Sequence, residues 1–287
     1  MYNKKYLGIL TVLTGVGFML LFTMFWACSS DTIGPIMVEG DLDDPVFTAV
    51  RSDLDDMVDS IIHNIHNPLT NPWGFPIDSS ILDDPDNDIW WGPLNPEDSA
   101  DYGYSDGWHT MYVVHLTASG SEIFYDSMAF LINGRPLPNS FSGIDEIKYR
   151  GSYALDNSSA NEDVSMGFIT RVDINDVDTY VASAGGTGEI ITTRSYSQYG
   201  SDITEQFDFD ITFSDIELTR NYLNDWDHYS RIDGQIQSDL TYTVSTTNGD
   251  DTNIMQQDWI IDITLNGNIA EIIATCGNIR WTFDHNL

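Results

Sequence analysis

Phe207-Asp208-Phe209-Asp210-Ile211-Thr212-Phe213-Ser214 is the stretch that decides the fold. Apolar and polar residues alternate along it without a break. Side chains of a β-strand point to opposite faces in turn, so this run reads as a strand with one buried face and one wet face. That pattern belongs to antiparallel sheets, because parallel strands are covered on both sides and lose the alternation.

The same period of two recurs on either side. Trp259, Ile261, Ile263 and Leu265 alternate with Ile260, Asp262 and Thr264. Ile279, Trp281 and Phe283 repeat it near the C-terminus, and Val164, Met166, Phe168, Thr170, Val172 and Ile174 form another row. Asn266-Gly267 and Gly277-Asn278 suit tight hairpins, and Asn133-Gly134, Gly185-Gly186 and Asn248-Gly249 mark further reversals. Roughly ten strands are expected over residues 108–284, joined as a meander whose links are too short for helical crossovers.

One helix precedes them. Asp44-Pro45 is an N-cap followed by proline in the first turn. Val46, Phe47, Val50, Leu54, Met57, Val58, Ile61 and Ile65 then recur at helical spacing, with Asp55, Asp56 and Asp59 on the other side. The helix is expected over about 45–66, ending before Asn67-Pro68. Residues 67–107, rich in Pro, Gly, Asn and Asp, read as a long irregular segment pinned by aromatic side chains. The expected fold is therefore mainly β: a large antiparallel meander, curled into a half-barrel or a barrel, with one N-terminal amphipathic helix. A sheet of this size can hide its apolar face by closing, by folding into a sandwich, or by curling around that helix. The last choice resembles, in outline, the half-barrel-plus-helix shape of periplasmic lipoprotein carriers.

The first residues carry an address. Lys4 and Lys5 precede an uncharged apolar run from Tyr6 to Ala27, followed by Cys28-Ser29-Ser30-Asp31. A positive start, an apolar middle and small residues at the end make an export signal. Cys28 closes the run after Ala27, and the stretch resembles the lipobox of bacterial lipoproteins, with Phe25 where leucine is usual. The resemblance implies removal of residues 1–27, diacylation of Cys28 and attachment to a membrane of the cell envelope, at the outer membrane or cell surface; two acyl chains hold stably. The run is also long enough to span a bilayer uncleaved, and Ala27-Cys28-Ser29 also fits an ordinary cleavage site. Residues 28–43 then form an acidic tether, and 44–287 a single β-rich domain.

Removal of Lys4 and Lys5 with the signal leaves nine basic residues against 45 acidic ones, a formal charge of −36. Such a surface repels nucleic acid and anionic headgroups, which excludes both as partners. Lipidation of Cys28 leaves Cys276 without a partner, to be read as a small buried thiol on an apolar strand.

Chemistry is sparse. Gly103-Tyr104-Ser105-Asp106-Gly107 matches G-x-S-x-G, but the hydrolase elbow needs a helix after the serine, and here a strand follows. Asp84, Asp86 and Asp88 alternate in a turn and are the candidate ligands for calcium, with Asp83 and Asp101 nearby. The EF-hand pattern fails, since Ile89 holds the glycine position and Asn95 the final glutamate position. Trp90, Trp91, Tyr102, Tyr104 and Trp108 cluster around those acids. They read either as anchors for the loop or as a carbohydrate-binding surface. His63 and His66 share a helix end that favours cations without any metal, and His109 and His115 lie too far apart on one strand to share an ion. Lys148 and Arg150 share a strand face with Glu146 and read as ordinary ion pairing. The leading expectation is a non-enzymatic envelope lipoprotein that binds an apolar ligand or a partner on its curved sheet. The alternatives are a recognition module for calcium or glycan at residues 83–108, and a carboxylate-based hydrolase.

Overall fold

The computed structural model describes residues 37–70, 97–138, 143–221, 223, 226 and 231–287. The strands are β1 (Val38–Glu39), β2 (Ser99–Ser105), β3 (Trp108–Thr117), β4 (Gly120–Ile132), β5 (Arg135–Pro136), β6 (Glu146–Ser158) and β7 (Glu162–Asn175). They continue as β8 (Val181–Gln198), β9 (Ser201–Thr219), β10 (Arg231–Asn248), β11 (Asp251–Gly267), β12 (Ile269–Cys276) and β13 (Ile279–Asn286). One helix, α1 (Pro45–Thr70), lies among the described residues.

All strands belong to one sheet, in the order β1-β13-β12-β11-β10-β9-β8-β7-β6-β4-β3-β2, with β5 beside β4. Neighbours pair antiparallel throughout, except that β1 runs parallel to β13. The path has two ends, so the sheet is an open meander and not a closed barrel. The alternating run at Phe207–Ser214 lies in β9, with Phe207, Phe209, Ile211 and Phe213 buried.

Turns fall mostly where the glycine signals put them. Cys276 pairs with Ile279 across Gly277-Asn278, and Asn248 pairs with Asp251 across Gly249-Asp250. Gly185-Gly186 does not reverse the chain. It sits inside β8 at a register shift between Ala184 and Gly186, and a second shift separates Asp233 from Gln235 in β10. Bulges of this kind bend a strand and sharpen its twist, so this glycine pair serves curvature.

The helix begins as its sequence predicts, with the Val46 backbone N–H donating to Asp44 Oδ1 at 2.8 Å. It ends later than expected. Pro68 lies inside the helix, and both Pro68 and Leu69 are buried. Tertiary burial there outweighs the loss of one intrahelical hydrogen bond. The irregular segment is likewise shorter than read, because Ser99–Ser105 pairs with β3 as an edge strand. Val38 and Glu39, within the stretch read as tether, add to the edge of β13.

The position of α1 shows that the sheet curls. At about 100° per residue, Phe47, Val50, Leu54, Ile61 and Ile65 line one side, all fully buried. Phe47 stacks on Trp281 at 5.3 Å and meets Phe283 edge-on. On one flank, Asp55 and Asp59 reach His285 of β13 at 3.2 and 2.7 Å. On the opposite flank, Asp53 pairs with Arg194 of β8 at 2.9 Å. The side facing away from Phe47 looks across a cavity to β4, β6 and β7. A helix met by one sheet on its core side and on both flanks, with Thr48, Ser52, Asp56, Asp59 and His63 exposed along its back, lies in the trough of a curled sheet.

Small residues let it sit there. Gly151, Thr170 and Gly188 are successive partners across β6, β7 and β8. A Cβ on Gly188 would stand 3.0 Å from Ile61 Cδ1, so the helix packs nearly onto the backbone. Cys276 is fully buried, as expected, but it is disulfide-bonded instead of carrying a free thiol, and its partner lies outside the described residues. The apolar run 6–27 and Cys28 also lie outside them. Among the described residues, no helix is long and apolar enough to cross a membrane.

Candidate functional site

The cavity behind α1 holds about 440 Å³, within the usual range for small-ligand sites. Two lateral rows of the sheet form its wall. The first row places Phe124 of β4, Tyr153 of β6 and Phe168 of β7 side by side, with the Phe124 and Tyr153 rings 4.8 Å apart. The second row, two residues along, places Asp126 opposite Gly151. The helix contributes Asp59, Ser60, His63, Asn64 and Asn67. The site is thus aromatic on one side and polar on two.

Its floor is a buried hydrogen bond. Tyr149 Oη donates to Asp126 Oδ1 at 2.8 Å, and Asp126 is 5 % exposed. Tyr149 and Gly151 point the same way along β6, so the phenol leans over the glycine to reach the carboxylate. A Cβ on Gly151 would overlap the Tyr149 hydroxyl and stand 2.9 Å from Asp126 Oδ1. A glycine inside a strand weakens it and commonly marks a close approach; here the approach is that of the phenol to the acid. Burial, with the Asp126 charge beside it, holds the Tyr149 phenol well above its ordinary range. Burial and the Glu122 charge push Tyr153 up to about 12. Partial desolvation at the cavity rim lowers His63, which favours its neutral ring.

A second polar cluster ties the helix to the sheet. Arg194 pairs with Asp53 and stacks over Phe207 at 5.3 Å. Tyr242 stacks on Phe207 and donates to Glu205 at 2.8 Å. Desolvation outweighs the Arg194 charge and raises Asp53 to about 6. The pair is locked between helix and sheet, an arrangement that serves as a strut.

The residues nominated by sequence are only partly assembled. Cys28, Asp83, Asp84, Asp86, Asp88, Trp90 and Trp91 lie outside the described residues. Tyr102 and Tyr104 share one face of β2 and flank His109, with Tyr102 Oη 3.0 Å from His109 Nδ1 and the Tyr104 ring 4.7 Å from the imidazole. Burial lowers His109, with a smaller opposing contribution from the Leu137 backbone. Trp108 sits on the opposite face of the sheet, where Arg150 stacks over it at 4.5 Å. The two tyrosines and Trp108 therefore form no common surface. Gly103, Tyr104 and Ser105 end β2, and Asp106-Gly107 turns the chain into β3, so the G-x-S-x-G match is a hairpin. His115 hydrogen-bonds Asp98 at 2.8 Å. Among the described residues, no group of three or more His, Cys, Asp or Glu side chains is placed to hold a metal ion.

Lys148 pairs with Glu146 at 3.0 Å, two residues back along the same strand and not across the sheet as expected. Arg150 stands opposite Arg171 across the sheet, and no ion pair to it is formed among the described residues. Sequence reasoning missed the cavity residues. Their signals were an acid, Asp126, on the apolar face between Phe124 and Met128, and a lone glycine between Tyr149 and Tyr153.

Comparison with known proteins adds no further assignment: no family model matches this chain, and neither a curated protein nor a solved structure shows detectable similarity to it.

Proposed function

We propose that this chain is an exported, envelope-tethered, non-enzymatic binding protein that holds a small amphipathic molecule in the cavity behind α1. The carrying observation is the buried Tyr149–Asp126 hydrogen bond at the floor of a cavity with one aromatic wall. A few placed polar groups in an apolar concavity are what a small-ligand site requires. Phe207, Phe209 and Trp259 offer no such room, because they are fully buried in one core cluster with the apolar side of α1. The export-type start and the lipobox-like Cys28 support attachment to the envelope, facing the medium from which a ligand would come.

The experiment is native mass spectrometry of the protein purified from an exporting host, before and after organic extraction. A bound small-molecule mass that extraction removes is expected. That mass should be absent from Phe168→Trp, whose larger ring fills the cavity. A bare protein mass from the unextracted wild-type protein would overturn the reading.

A further inference from the structure

We infer that the ligand is an organic cation, an amine or quaternary ammonium group seated beside the Asp126 carboxylate, with its apolar part against Phe124, Tyr153 and Phe168. This rests on the binding function proposed above and names its ligand class.

Three observations carry it. Among the described residues, the cavity is lined by two carboxylates, Asp59 and Asp126, and by no lysine or arginine. An anionic group there would meet like charge with nothing to offset the loss of its hydration. The one basic side chain among the described lining residues is His63, whose partial desolvation favours the uncharged ring.

The wall opposite the helix sets three aromatic residues side by side across three strands, with the Phe124 and Tyr153 rings tilted 43° to each other at 4.8 Å. The face of an aromatic ring attracts a cation, more strongly when water is excluded. Carboxylate and rings lie in adjacent lateral rows, so one small molecule spans both.

The surrounding field has the same sign. The chain carries 45 acidic residues against 11 basic ones, and a cleft with low-dielectric walls concentrates such a field and the counter-charged solutes it attracts. Asp126 supplies the charge without free rotation, because the Tyr149 hydroxyl pins one oxygen and Gly151 leaves room for that bond.

The test is calorimetric titration in physiological salt with three water-soluble probes of similar size: phenyltrimethylammonium, benzyl alcohol and benzenesulfonate. Phenyltrimethylammonium is expected to bind at least ten-fold more tightly than either of the others. Asp126→Asn keeps an acceptor for Tyr149, so it should fold, and it should weaken the ammonium at least ten-fold more than it weakens benzyl alcohol; an equal loss for both probes would overturn the cation inference. Benzyl alcohol or benzenesulfonate binding as tightly as the ammonium would overturn the cation inference and leave the binding site standing. An extractable native mass combined with no binding of any probe would also overturn it alone. No binding and no extractable mass would overturn both readings.

Discussion

Asp53 is an acid that folding makes harder to ionise. Burial raises it from 3.8 to about 6 despite the Arg194 guanidinium at 2.9 Å. The folded state therefore holds a proton that the unfolded chain has released between those two values. Its contribution to stability is full below 3.8 and is lost as the pH rises through about 6. Asp53→Asn should remove this part of the pH dependence, so that the wild-type melting temperature falls relative to the variant's from pH 4 to pH 6, a window set by the shift at Asp53. Parallel curves would show that Asp53 ionises normally. Gly151 offers a second test. Gly151→Ala breaks the Tyr149–Asp126 bond by steric overlap, and an orphaned buried donor costs roughly 1–3 kcal/mol. Chemical denaturation should show that loss, and native mass spectrometry the release of bound ligand. Wild-type stability with ligand retained would mean that the floor is not built as described.

The helix and the strands it touches depend on each other more than either sequence pattern reveals. Truncation in the aromatic cluster of Phe47, Trp281 and Phe283 by Phe47→Ala should cost about 3–5 kcal/mol. Gly188→Val attacks the same docking from the sheet side: its new atoms would press on Ile61, and overpacking costs about 1–3 kcal/mol. Denaturation midpoints check both. A neutral Gly188→Val would place the helix farther from β8 than 3.0 Å contact implies. The late end of α1 has the same origin. Asn67-Pro68 is a local stop signal, and the burial of Pro68 and Leu69 overrides it.

The molecule as a whole carries its charge as a burden. With 45 acids and 11 bases, the compact state repels itself, and added salt screens that repulsion over about 10 Å at 0.1 M. The melting temperature at neutral pH should therefore rise by several degrees from low to high sodium chloride. A flat response would mean that local pairing already offsets the acids. The chain has two cysteines, which makes two fates exclusive. A diacylated Cys28 cannot also close a disulfide with Cys276, although Cys276 is disulfide-bonded in the fold. The proposed lipid anchor thus predicts a reduced Cys276 in the exported protein. Palmitate labelling together with an alkylatable Cys276 after denaturation without reductant would support it. An unlabelled protein with a blocked Cys276 would overturn it.

Much of this was legible along the chain. Strict alternation at Phe207–Ser214 and Trp259–Leu265 sets which side chains are inside, because a strand has only two faces. The apolar spacing from Phe47 to Ile65 sets one helix and its buried side. The site was not legible. Phe124, Asp126, Tyr149, Tyr153 and Phe168 come from three strands, and they meet only because pairing register sets Asp126 opposite Gly151 and Phe124 opposite Tyr153. Gly185-Gly186 reads locally as a turn, yet works as a bulge within a paired strand. Local sequence determined the elements and their faces, which depend on near neighbours. Register, curl and the cavity behind α1 depend on contacts between residues far apart in the chain, and those only the tertiary structure decided.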